Sequence, residues 1–210
     1  MGIDNVSRET YLRRENKIMS HYLVGVVVND ISEVDDILAP YDENMEVEPY
    51  TDDDGEITTY NPNSKWDWYS IGGRWSDGDN IVKISDFKLY DDSVGADTIA
   101  LYMKAWDSFE GKCKLTEDEE KKIFGEFRMW NDKYYLDRYG TCENYILAIL
   151  SNIPYAFVDA NGWYEKGQMG WWGIDNATQE SIEDYTKFAE KYFTAEENQN
   201  KYIVWVDCHI

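Results

Sequence analysis

The sequence predicts an α+β protein: a single compact domain with a small mixed or antiparallel sheet and helices packed mainly on one of its faces. Three observations predict this. Apolar, β-branched runs stand toward both ends of the chain, HYLVGVVV at 21–28 and KYIVWVDC at 201–208. The order YAFV, DANG, WYEKG from 155 to 167 is the signature of a hairpin. From about 95 to 151 the apolar spacing becomes helical. Strands and helices segregated along the chain belong to α+β layouts.

Residues 1–18 show no periodicity and are expected to form a flexible or helical extension to a domain at 19–210. The run 21–28 reads as a buried strand. Asn29-Asp30 offers a cap to a short acidic helix at 31–39, which Pro40 should stop. Residues 41–64 read as loop, with two of the four prolines and the cluster Asp52-Asp53-Asp54-Gly55. IVKI (81–84) reads as a strand, and FKLY (87–90) as a further short one. Ala96–Trp106 reads as a helix. Thr116 and Glu119 have capping-box spacing, and Ile123, Phe127, Trp130 and Tyr134 then mark one face of a single helix that Gly140 ends. Thr141 and Asn144 open a buried helix, YILAIL at 145–150. Thr178–Phe193 is amphipathic, and 201–208 is the last strand. The first and last apolar strands are expected to be neighbours.

Forty-two Asp and Glu oppose twenty Lys and Arg, a net charge of −22 over 210 residues. Direct binding of nucleic acid is disfavoured, because phosphate contacts need cation density. A basic protein surface is the natural complement. No apolar run approaches the roughly 20 residues of a membrane span, and no membrane partner is expected. Cys113, Cys142 and Cys208 are widely spaced with no CxxC pair, which argues for reduced thiols rather than a zinc knuckle or disulfide framework.

No stretch carries a recognised catalytic signature, and no cofactor is predicted. The densest aromatic cluster is KWDWYSIGGRW at 65–75. Gly72-Gly73 allows close approach of other groups to the backbone. Trp66, Trp68 and Trp75 offer flat faces, and Arg74 offers a planar cation. In an extended chain Trp66 and Trp68 share a face. The segment reads either as a binding site or as an internal corner in which Arg74 meets a carboxylate. MGWWGI at 169–174 repeats the aromatic and glycine character, adding Trp171 and Trp172 to the binding candidates. The only histidines, His21 and His209, sit at the ends of the two best strands. If those strands pair, His21, Asp207 and His209 could supply a metal's ligands. Asp52-Asp53-Asp54-Gly55-Glu56 lacks the alternation of a calcium loop.

The order HYLVGVVV, LAPYDEN, NPNSKWDWYSIGGRW, YAFVDANGWYEKGQMGWWG, VDCHI resembles a family of uncharacterised tailed-bacteriophage and prophage proteins. The likeness spans most of residues 19–210 and implies a phage protein working in the host cytoplasm. It assigns no activity and no functional residue. Together with the charge, it leads to the expectation of an acidic inhibitor, of the nucleic-acid-mimic, anti-CRISPR or anti-restriction type. Such an inhibitor would engage a host protein through that protein's basic nucleic-acid-binding surface. The alternative expectation is a nucleotide- or metal-dependent enzyme, or a small-molecule sink, built on the aromatic-glycine loops and His21/His209.

Overall fold

The strand His21–Val28 (β1) is buried at every position after the first, as befits a strand covered on both faces. The computed structural model describes residues 21–75, 79–170 and 174–210, so the extension at 1–18 lies outside the described residues. Strand β1 pairs antiparallel along its whole length with the last strand, from His21↔His209 to Val28↔Tyr202. On its other side β1 runs parallel to Ala156–Asp159, which turns back through the expected hairpin into Gly162–Glu165.

With strands numbered in chain order, Tyr50–Thr51 and Ile57–Thr58 are β2 and β3, Trp68–Ile71 is β4 and Ile81–Lys83 is β5. The hairpin arms are β6 and β7, and Tyr202–His209 is β8. Both β4 and β5 pair with the outer edge of β8, at 206–209 and 202–204 respectively. Between them Trp205 stays satisfied, because its carbonyl accepts from Gly72 N–H and its N–H donates to the Asn80 carbonyl. The main sheet is therefore mixed, in the order β4-β8-β1-β6-β7 with β5 beside β4 on β8. Strands β2 and β3 form a separate ribbon within the segment expected to be loop. Asp52 closes its turn by accepting from the N–H groups of Asp54 and Glu56.

The α-helices are Val34–Leu38 (α1), Ala96–Phe109 (α2), Glu117–Phe124 (α3), Asp132–Tyr139 (α4), Cys142–Leu150 (α5) and Gln179–Thr194 (α6). Alternation along the central strands splits the core by face. Tyr22, Val24, Val26 and Val28 face Val34 and Leu38 of α1 and the indole of Trp66. Val27, Phe157 and Ile203 face Tyr185, Ala189 and Phe193 of α6. Helices α2 to α5 enclose a third cluster around Trp106, Phe109 and Tyr145. Contacts between α4 and α6 attach that group on the α6 side. The fold is α+β, and among the described residues the short α1 is the one α-helix packed on the sheet's other face.

Several local expectations change. Pro40 does not end the first helix but sits inside a following 3-10 turn, Ala39–Tyr41, where its missing N–H is not needed. The single helix expected from 117 to 139 is two. Gly125 adopts φ 77° and ψ −151°, a region open essentially to glycine, and Asn131 caps a new start. Phe127 accordingly stands in solvent, while Trp130 stacks on Tyr134 (4.5 Å between centroids). The 145–150 helix begins earlier, at Cys142, and buries only Tyr145. FKLY is not a strand: Phe87 turns inward against Phe193 and Trp205, and Tyr90 makes one isolated bridge to Ser151.

Candidate functional site

Strand register builds the site. Residues directly opposite on paired strands point to the same face, so His21 of β1, His209 of β8 and Trp68 of β4 form one row across three strands. The next row is Leu23, Asp207 and Ser70. The three rings of the first row touch. His21 meets His209 edge to face at 4.8 Å and Trp68 at 4.9 Å, while Trp68 lies nearly parallel to His209 at 5.2 Å. Trp68 is 45% exposed, whereas the His21 side chain retains only 6% of its surface.

Each imidazole is held by its own carboxylate. His21 Nδ1 lies 2.8 Å from Asp207 Oδ1, and His209 Nδ1 lies 2.7 Å from Asp67 Oδ1. A carboxylate can only accept, so each ring carries a hydrogen on Nδ1, which makes Nε2 the lone-pair nitrogen of the neutral imidazole. Asp207 is buried. Its second oxygen accepts from the backbone N–H of Arg74 at 3.1 Å, with Arg74 Nε 3.9 Å away.

The two glycines explain how that N–H reaches it. Gly72 and Gly73 both have positive φ, 72° and 49°, and fold the chain back over β8 as a short 3-10 turn, Gly73–Trp75. A Cβ on Gly73 would fall within 3.0 Å of Asp207 Cβ and Oδ2 and of Ser70 Oγ. Successive N–H groups in such a bend make an anion-binding concavity. Here the anion is the protein's own Asp207, so Arg74 takes the internal carboxylate partner that one reading of the sequence anticipated.

Trp66 and Trp68 do not share a face. Trp66 belongs to a separate bridge with Asp42 and lies in the core, its Nε1–H donating to the Leu38 carbonyl. β4 begins only at Trp68, which breaks the period-two relation between them. Of the sequence candidates, Trp68, Arg74, His21, Asp207 and His209 come together. Trp75 closes the glycine turn, and Trp171 and Trp172 lie outside the described residues. Asp207 does not join the imidazoles as a third ligand but turns to His21 Nδ1 and Arg74. Among the described residues no three His, Cys, Asp or Glu converge as a metal cage. Cys208 points to the opposite face, and burial, reinforced by neighbouring Asp207, pushes its thiol well above the usual range, which removes it as a nucleophile. Asp67 was missed from sequence. Its signal is its place immediately before Trp68, the residue that register sets opposite His209. His209 and Asp67 also line a cleft of about 1080 Å³ with Tyr22, Lys65 and Met169.

A second feature is a surface. Residues 30–64 contain twelve Asp and Glu and no Lys or Arg. α1 fixes one end of this piece to the Tyr22 face of the sheet, and the buried Asn61 side chain, donating to the carbonyls of Pro40 and Asp42, fixes the other. Asp53, Asp54 and Glu56 are exposed at the tip of the β2–β3 ribbon. Exposed in the same ribbon and its flanks are Ile57 (80%), Tyr60 and Met45.

Comparison with family models, curated proteins and solved structures finds no match for this chain. Among the described residues no helix is long and apolar enough to cross a membrane.

Proposed function

We propose that the protein acts by binding, as an acidic antagonist whose contact surface is the 30–64 piece. Its target is a host protein with a basic, nucleic-acid-binding surface, reached in the host cytoplasm of a phage-infected cell. The observation that carries this reading is the ribbon itself, where Ile57, Tyr60 and Met45 stand exposed among carboxylates with no cation between them. Solubility alone accounts for carboxylates but not for apolar side chains held out beside them. Protein interfaces combine the two, apolar anchors for affinity and complementary charge for steering and specificity. Elsewhere some carboxylates meet cations, as in Lys65–Glu165, Lys104–Glu119 and Arg138–Asp175. The 30–64 stretch contributes no cation of its own to such pairs.

The test compares capture from bacterial lysate by the wild-type chain, by Ile57→Ala and by the triple variant Asp53→Lys/Asp54→Lys/Glu56→Lys. A partner is expected that duplex DNA displaces, that is released as salt rises past about 0.3 M, and that both variants lose. Capture that ignores salt, or that survives in both variants, overturns the reading.

A further inference from the structure

We infer that His21 and His209 together form a binding site for a divalent transition-metal ion, each contributing Nε2, with Asp207 and Asp67 as the outer carboxylates that orient them. This does not depend on the binding role of the acidic surface.

Four observations lead there. First, the two histidines are directly opposite on antiparallel strands. Such pairs have Cβ atoms about 5 Å apart, within reach of one ion bound at roughly 2.0–2.1 Å from each imidazole nitrogen. The ring centroids are already 4.8 Å apart. Second, both Nδ1 atoms are engaged by carboxylates. A histidine that donates one N–H to a carboxylate has its tautomer fixed and its other nitrogen made a better donor, the usual outer arrangement of a metal-bound imidazole. Third, the local charge suits a cation. Asp207, Asp67 and the surrounding −22 chain outweigh Arg74, the cation that meets Asp207. The same balance argues against phosphate or another anion at this position. Fourth, His209 borders the cleft beside Tyr22 and Lys65, which gives an ion a route from solvent.

Imidazole donors select zinc, nickel or copper over magnesium and calcium. With two protein ligands and no third His, Cys, Asp or Glu among the described residues, water completes the coordination, so the ion exchanges readily. Trp68 packs against both imidazoles.

The chain has only two histidines, which makes the test direct. Untagged protein with ¹⁵N-labelled imidazoles is titrated with Zn²⁺ at pH 7.5, with Mg²⁺ as control, while calorimetry follows the same additions. The expected result is one equivalent of Zn²⁺, with both Nε2 resonances moving together and both Nδ1 hydrogens retained. His209→Ala, at the more exposed position, should weaken binding at least tenfold, and Asp67→Asn about 10- to 100-fold, with melting temperatures recorded to show that both variants are folded. Absence of histidine shifts up to millimolar Zn²⁺, movement of only one ring, or binding that persists in His209→Ala overturns the proposal.

Discussion

Replacing Gly73 by Ala tests how the glycine turn and the buried carboxylate depend on one another. The new methyl group brings three costs. Holding a Cβ residue at φ 49° costs about 1–2 kcal/mol. Its Cβ would crowd Asp207 and Ser70, and overpacking of this kind costs about 1–3 kcal/mol. If Asp207 moves to relieve the clash, it loses the Arg74 N–H and His21 bonds, each worth about 1.5–3 kcal/mol for a charged acceptor. Movement and clash are alternatives in part, so a total near 4 kcal/mol is expected, or a fall in Tm of roughly 8–16 °C for a chain of this size. Gly55→Ala supplies the control. Gly55 has φ 84°, yet nothing lies within 4 Å of where its Cβ would be. It should lose only the backbone part, about 2–8 °C. Calorimetry or circular dichroism measures both. Equal losses in the two variants would refute the reasoning, because they would show that Asp207 places no demand on Gly73.

Asp175→Asn removes the bidentate partner of Arg138, whose two nitrogens lie 2.7 and 2.9 Å from the carboxylate, and should lower stability by about 2–3 kcal/mol at pH 7. Burial works to raise the Asp175 pKa, but the Arg138 bonds outweigh it and the net shift is downward. The stabilisation is therefore present above the unfolded carboxylate value of about 3.9 and is lost as pH falls through the lower folded value. Urea midpoints of wild type and variant should converge on acidification below about pH 4, and a constant difference would count against the ion pair. Thiol mapping of the native chain should label Cys113 and Cys142 and spare Cys208, which reacts only after denaturation. Cys142 should be slowed, since burial raises its thiol too. Native labelling of Cys208 would contradict its place in the core.

The long strands were legible because each carries its own pattern. HYLVGVVV and the 202–209 run are apolar enough to demand burial on both faces, and their pairing follows from having no better partner. The caps at Asp30, Thr116 and Thr141 were equally local. What could not be read depends on choices between close alternatives. Gly125 fits a helical period as well as a break, and the decision rests on the competing start at Asn131. The ribbon strands β2 and β3 have two residues each, too short for alternation to register. At the site, the meeting of His21 with His209 follows from strand pairing and was foreseeable as a condition. Asp207 was foreseen beside them, but as a third ligand rather than as the partner of His21 Nδ1. Asp67 was not foreseen, because it reaches His209 from just outside β4 through a three-strand register that a slip of one residue would send to the opposite face.

The position of β8 in the sheet has a consequence for how the chain reaches this structure. Strand β8 is the latest strand of the described chain, yet it is the one to which β1, β4 and β5 all bind. The His21–Asp207 bond spans 186 residues. Until residues 202–209 are made, β1 presents seven apolar or glycine positions with no antiparallel partner, an open edge of the kind that draws chains together. Closing so long a loop is slow compared with local helix formation. In that interval the charge of −22 acts between molecules rather than within one, keeping unfinished chains apart until the last strand enters the sheet.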